Sequence, residues 1–563
     1  MSADLSSRPL QDSATGRWQR HAVVEYLHHF QQHPTSLRDF ADAHGVSKST
    51  LHDWECRKKA LDADPLTVAF LESPQGLILL HAIVLAVHMV FSFRSHAGIR
   101  MITLFLELAG LAPFIATSYG THQKIADTMA KQIIAFEDEH RPTLASAMPH
   151  RDLTVCQDET FPKSAMCLVA QEPVSRFLLT EQFKEKCDAA TWNTLMNAAT
   201  ADLRVTLVQQ ASDEGSGLLA HARQQRLHHS PDLFHIHQDI TRATVLPLKR
   251  RREAAEAAVV EAAKDIQRHI AAEAAYRAGP RPPGHPPDFQ KRIARAQQAE
   301  AVARAALTEA EAHCQIRQDA QTGLSSDYHP FDLKTAAARS AAEIETSLTG
   351  HFDALDGLAE VAELSERSRK LLAKARRRLP QMVATVGFFW SRVNARVASE
   401  RWSMGKQLAF FSYLLPAAYL AQIAGQAPSA EARHALAGRA RALVGSLVAG
   451  SAGVERSELV EVEALAVECA GWFQRSSSCV EGRNGELALS EHARRGLSEK
   501  RLKALTVVAN YAVVDASGTT AAQRFFGQAH ADLFQWLLDH MPLPARPKKK
   551  RPKLKKQTLL EAA

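Results

Sequence analysis

Apolar positions recur three and four residues apart over most of this chain, and the first well-bounded case lies between Ser36 and Trp54. Leu37, Phe40 and Ala41 share one face of a first helix, Gly45 permits a left-handed turn, and Val46 plugs it. Ser47 caps a second helix whose Leu51 and Trp54 point back to the same core. The spacing predicts a helix-turn-helix unit over 17–62, after a polar stretch 1–16 expected to be disordered. Lys48, Ser49, Thr50 and His52 then face outward, followed by Arg57 and Lys58, where a recognition helix meets base edges and phosphates. A plain helical hairpin with a solvated polar face is the competing expectation.

Residues 66–145 keep the helical period. Gly98 to Ala130 repeats the theme, an apolar helix ending near Gly110 and a second starting after Ser118, so this part is either another DNA-contacting module or a simple bundle. The most apolar run, Leu77 to Phe93, is short of the ~20 residues that span a bilayer. It carries His81 and His88 seven positions apart, on one helical face, which predicts a buried helix with a polar stripe and no membrane partner.

At about 150 the period changes. Leu153 to Gln157, Met166 to Ala170 and Arg176 to Thr180 read as short strands, punctuated by Pro162 and Pro173; a helix over 189–200 and a strand over 203–209 follow. That order predicts a mixed sheet with helices packed on it, with a first part over 150–240. From 241 to 470 the pattern is helical again and rich in Ala, Glu and Arg. Prolines between Gly279 and Pro287 separate two amphipathic segments into a hairpin spanning 249–318. Residues 471–541 return to the core with further helices, and 542–563 form a basic tail.

The chain is 563 residues, 46% hydrophobic and 23% charged, which excludes a peptide, a collagen-like repeat or a mostly disordered protein. Net charge is +7, but eight positive charges lie between Arg546 and Lys556, so the remainder is almost neutral. A clustered arm such as Lys548, Lys549, Lys550 and Arg551 suits successive phosphates better than a diffuse excess does, although it also serves as a solubilising tail. Seven cysteines occur singly with no C-x-x-C pair, which argues against a disulfide framework or zinc finger. With no apolar segment behind a basic start, the expected location is the cytoplasm, on the nucleoid.

Three carboxylates carry the candidate chemistry. Asp158 directly follows the first strand, Asp213 follows the strand over 203–209 and precedes a helix, and Glu481 opens a late helix. Each has a structural alternative: a turn aspartate, an N-cap, and a Ser478-x-x-Glu481 capping box. Together they match what two-metal phosphoryl transfer needs, several anionic oxygens converging on two hard cations ~4 Å apart.

Asp213-Glu-Gly-Ser-Gly-Leu-Leu with Pro231-Asp-Leu-Phe-His235 resembles the second-aspartate segment and Asp-x-x-His signature of Mutator-type and related DDE transposases of bacterial insertion sequences. Ser477-Ser-Cys-Val-Glu-Gly-Arg-Asn484 is similar to their third-acid segment, with Asn484 three residues after the acid. Gly518-Thr-Thr-Ala-Ala-Gln-Arg-Phe-Phe-Gly527 is similar to a segment of other bacterial transposase-like proteins. The resemblance implies a fold mainly α with an α/β core: a helix-turn-helix N-terminal region and a ribonuclease H-like mixed sheet interrupted by a long all-helical insertion. It implies a DNA transposase that cleaves element ends and transfers strands through Asp158, Asp213 and Glu481, holding two Mg²⁺ or Mn²⁺ ions. Double-stranded DNA is the implied partner, and a homo-oligomer the expected assembly. Asp232, His235, Asn484 and Arg483 are the implied supporting residues. Glu159 and Glu214 stand beside the two aspartates as alternative ligands, and His237 competes with His235. A domesticated relative that binds DNA as a regulator without cutting it is the alternative function.

Overall fold

The N-terminal helices follow their caps and turns. In this computed structural model, the described residues are 35–547 apart from 44, 60, 162–165, 281–282, 451–454 and 495, together with 11–12, 17–18, 28 and 32. Helix α1 (Leu37–Ala43) and helix α2 (Lys48–Lys59) meet through Gly45 at φ +63°, and Phe40, Ala41, Val46 and Leu51 close a small core with Leu37 and Trp54 against it. Ser47 stands at the N-terminal boundary of α2, its carbonyl receiving the Thr50 and Leu51 amides while its hydroxyl pairs with Ser49. Helix α3 (Pro65–Leu71) is capped by Asp64, and helix α4 (Pro74–Arg94) by Ser73 with Pro74 at its first turn. Helix α5 (Ile99–Leu108) ends at Gly110, and helix α6 (Tyr119–Ala147) starts from the Ser118 cap.

The polar stripe on α4 is a buried histidine contact. His88 Nε2 lies 3.0 Å from His122 Nδ1 of α6, and burial, then the neighbouring His122, pushes His88 down to about 3, so it stays neutral. By length and composition, α4 and a later segment, Met404–Gln426, are apolar enough to cross a membrane, yet half or more of each apolar window is covered by the rest of the protein.

Five strands form one mixed sheet: β1 (Arg151–Thr160), β2 (Met166–Gln171), β3 (Leu178–Lys184), β4 (Val205–Ser212) and β5 (His228–Pro231), ordered β3-β2-β1-β4-β5. The first three pair antiparallel, as hairpins allow. β4 and β5 run parallel to β1, the connections passing through helices α7 (Ala189–Thr200) and α8 (Ser216–Gln224). Alternation along β1 sends Leu153 and Val155 into a core shared with α6, α7 and a late helix. Cys156 goes to the other face, where Val480 and Leu487 cover it. Mainly α with an α/β core therefore describes the protein.

Boundaries shift where chain neighbours decide them. Asp158 lies inside β1, which continues to Thr160 by pairing with β2, instead of just after the strand. β5 has no alternating pattern in His-His-Ser-Pro and was not expected. Helix α9 (Leu233–Ala278) starts eight residues before 241 and passes through Pro247; with helix α10 (Phe289–Asp327) it makes the hairpin. Helices α11 (Ala341–Val361), α12 (Glu366–Arg376), α13 (Leu379–Glu400), α14 (Met404–Gln426), α15 (Ala430–Gly450) and α16 (Arg456–Ala470) complete the block, around a core holding Leu348, Phe389 and Phe410. Helices α17 (Ser478–Arg494), α18 (Glu499–Tyr511), α19 (Ala521–Phe526) and α20 (Leu533–His540) return to the sheet. The first basic residue of the tail is structural: the Arg546 guanidinium stacks on Trp54 and pairs with Glu72. Lys548, Lys549, Lys550 and Arg551 lie outside the described residues.

Candidate functional site

Parallel pairing of β1 and β4 aligns Cys156 with Ala211, so Asp158 and Asp213, each two residues further on, emerge side by side from one end of the sheet. Asp158 Oδ1 accepts from the Glu159 amide at 2.8 Å, and its Oδ2 from Asn484 Nδ2 at 2.7 Å. Asp213 Oδ1 accepts from the Gly215 amide at 2.9 Å, closing a turn. Helix α8 has Gly215 and not Asp213 at its N-cap, so the capping alternative for Asp213 does not hold. Gly217 is required by packing, because a Cβ there would fall 1.8 Å from the Cys187 carbonyl oxygen.

Glu481 reaches this end from α17. Among the described residues no hydrogen bond joins it to Ser478, so the capping-box alternative is not formed either. Its Oε1 lies 3.7 Å from His235 Nε2. Asp232, buried and capping α9 through the Phe234 amide, sets its Oδ2 3.9 Å from the same nitrogen. Asp232 also ties the parts together: its amide donates to the Ser212 carbonyl of β4, and Ser477 Oγ donates to its Oδ2 at 2.6 Å. The Leu233 amide donates to the Arg475 carbonyl, fixing the segment before Glu481.

One ligand atom each from Asp232, His235 and Glu481 lie within 4.8 Å of one another, and the buried His235 Nε2 has no hydrogen-bond partner. An imidazole nitrogen standing between two carboxylates is a donor set that could hold a divalent cation. Asp158 and Asp213 extend that acidic face. Burial, then the nearby Glu481, Asp213 and Asp232 carboxylates, push the Asp158 carboxyl up to about 7, against the Glu159 amide that favours its charged form.

Other expected residues are engaged elsewhere. Arg483 forks onto the buried Glu181 of β3 at 2.6 and 2.9 Å and onto Glu486, so it anchors α17 to the sheet edge and is not free to face a substrate. Glu214 pairs with Arg378 at 3.0 Å, and Arg378 in turn with Asp239. Glu159 accepts from the Trp192 indole at 3.4 Å. His237 bonds Ser325 Oγ and is held down to about 4 by burial, leaving His235 as the histidine of the cluster. At the other candidate surface, Lys48, Ser49 and His52 are exposed and Thr50 is half-buried; the side chains of Arg57 and Lys58 lie outside the described residues.

The raised Asp158 pKa has a sign that can be checked. A carboxyl with a folded-state value near 7 and an ordinary value of 3.8 contributes stability fully present below about pH 4 and lost as pH rises through 7. At ~1.4 kcal/mol per unit the ceiling is about 4 kcal/mol, and partial exposure reduces this to about 2. Urea unfolding of the metal-free protein at pH 5 and pH 8 should show that loss, and Asp158→Asn should remove it. An Asn variant with the parental pH slope would refute the assignment.

A family model described as a family of unknown function (DUF6399) matches residues 410–553, a stretch that includes Glu481 and Asn484 but neither Asp158 nor Asp213. No curated protein and no solved structure matches the chain.

Proposed function

We propose that this protein is a metal-dependent DNA phosphoryl transferase of the DDE transposase type, on a ribonuclease H-like sheet. One observation carries the reading: three acids from distant parts of the chain, Asp158, Asp213 and Glu481, share one sheet end with Asp232 and the orphaned His235 nitrogen. An acid on the first strand, one after the fourth and one on a late helix is also the order such a site needs.

Asp158, Asp213 and Glu481 would hold the cations, with Asp232 and His235 completing the donor set. Two Mg²⁺ or Mn²⁺ ions held by these residues would supply positive charge for activating water and for the leaving 3′ oxygen of a phosphodiester. Asn484 keeps one Asp158 oxygen fixed through its amide, and the Ser477 hydroxyl fixes Asp232, so both carboxylates meet a substrate already oriented. The two-helix unit α1–α2, with Lys48, Ser49 and His52 exposed, would supply a DNA-facing surface. The α9–α10 hairpin provides a long arm for DNA or a second subunit.

Incubation of the full chain with DNA carrying its own element ends should yield nicks in Mg²⁺ or Mn²⁺ and none in EDTA. DNA binding without cleavage under both conditions would instead identify a regulator. Truncation after Pro547 tests the tail without disturbing Arg546: the slope of log affinity against log salt should flatten by roughly one unit for each phosphate the tail had neutralised, and an unchanged slope removes the tail from the interface.

A further inference from the structure

The opposite end of the same sheet holds a second polar concavity. Arg151 opens β1, Arg392 comes from α13, Trp472 follows α16 and Arg524 lies on α19; with Asp152 and Glu172 they bound a cavity of about 790 Å³. That is within the size range of small-molecule sites. Arg151 to Asp158 is seven residues along one strand, roughly 23 Å at 3.3 Å per residue, so the cavity is distinct from the acidic cluster.

Its donors outnumber the acceptors that reach them. The Arg392 side chain is only 9% exposed, stacks on the Trp472 ring at 3.9 Å and donates Nη2 to the Asp152 carbonyl at 3.1 Å. Its Nε and Nη1 are buried without a hydrogen-bond acceptor, the Asp152 carboxylate standing 3.9 Å from Nε. Arg151 repeats the pattern: Nη2 donates to the Phe525 carbonyl, the guanidinium lies over the Phe525 ring, and the buried Nε has no acceptor. Arg524 forms a fixed wall, bonded to the Ser175 carbonyl and to Asp515.

The carboxylates nearby do not meet this demand. Both Glu172 oxygens are taken by the Val174 and Ser175 amides and the Ser175 hydroxyl, while Glu468 is exposed. Burial pulls Arg392 and Arg151 below the usual arginine range, against the pull of the neighbouring acids, which is the condition a bound anion relieves. A guanidinium held flat on an aromatic ring presents two parallel N–H groups, the geometry that matches a phosphate edge.

We propose that this cavity binds a phosphate-bearing anion, with Arg392 and Arg151 as its principal donors. The phosphate belongs either to a free nucleotide or pyrophosphate, or to a DNA backbone lying across the sheet.

Calorimetric titration of the full chain in EDTA separates these sources and keeps the test independent of the acidic cluster. Pyrophosphate or ATP binding saturably, and on the order of tenfold more weakly to Arg392→Gln, identifies a free anion. A response confined to duplex DNA, weakened by the same substitution, identifies backbone phosphate. Crystals of the unaltered protein soaked in tungstate give a reading free of folding effects: density within hydrogen-bond distance of Arg392 Nε supports the site. Absence of binding by all three probes, equal binding by Arg392→Gln, or tungstate found only elsewhere would overturn the proposal.

Discussion

If the proposed reading holds, Glu481→Gln and Asp213→Asn should each lower Mg²⁺-dependent DNA cleavage by about 10³-fold or more while the free energy of urea unfolding stays within about 1 kcal/mol of the parent. The separation follows from what these side chains touch. The Glu481 carboxylate has His235 at 3.7 Å as its neighbour and is about one-third exposed, so an amide of equal size loses no fold-building bond. Asp213 accepts the Gly215 amide through Oδ1, a role the Asn oxygen takes over. Neither amide supplies the anionic oxygen a divalent cation requires. Removing either charge also relieves repulsion on Asp158, so the metal-free variants should lose less stability between pH 5 and pH 8 than the parent. Cleavage persisting in both variants, or loss of cleavage explained by unfolding, would count against the site.

Arg483→Met, two residues from Glu481, should behave in the opposite way and cost about 3–5 kcal/mol of stability. Glu181 is fully buried, and the Arg483 fork is its charged partner, Thr506 contributing only a hydroxyl. Taking away the guanidinium strands that carboxylate inside the sheet edge. Replacing both members with apolar residues, Glu181→Leu with Arg483→Met, should recover most of the loss, because no unpaired charge remains. Chemical denaturation of the single and double variants measures both terms. A stable Arg483→Met that cannot cleave DNA would return Arg483 to the reacting site and contradict the structural role.

These two neighbours mark the limit of what a linear pattern conveys. Gly45, Val46 and Leu51 announce the α1–α2 turn because the forces there act within a dozen residues, and the two helices form as their spacing predicts. Strand periodicity likewise brought Asp158 and Asp213 to strand ends, although pairing with β2 carries β1 past Asp158. β5 was invisible, since four residues paired on one side and capped by a helix need no alternation. Arg483 is expected among the supporting residues of the site because nothing in sequence ties it to Glu181, over three hundred positions away; only the packing of α17 on β3 does so. Asp232 was visible as part of a motif, but its bonds to Ser212 and Ser477, which join three segments, depend on tertiary structure. The arginine cavity gave no sequence signal, its residues being spread from Arg151 to Arg524.

Anomalous diffraction from crystals grown with Mn²⁺ addresses the acidic cluster itself. The account predicts a manganese peak bounded by Glu481 and Asp213 or Asp158, with His235 Nε2 or Asp232 within coordination distance, and its disappearance in Glu481→Gln crystals. Fully occupied manganese at other sites with none at this sheet end, at saturating concentration, would contradict it.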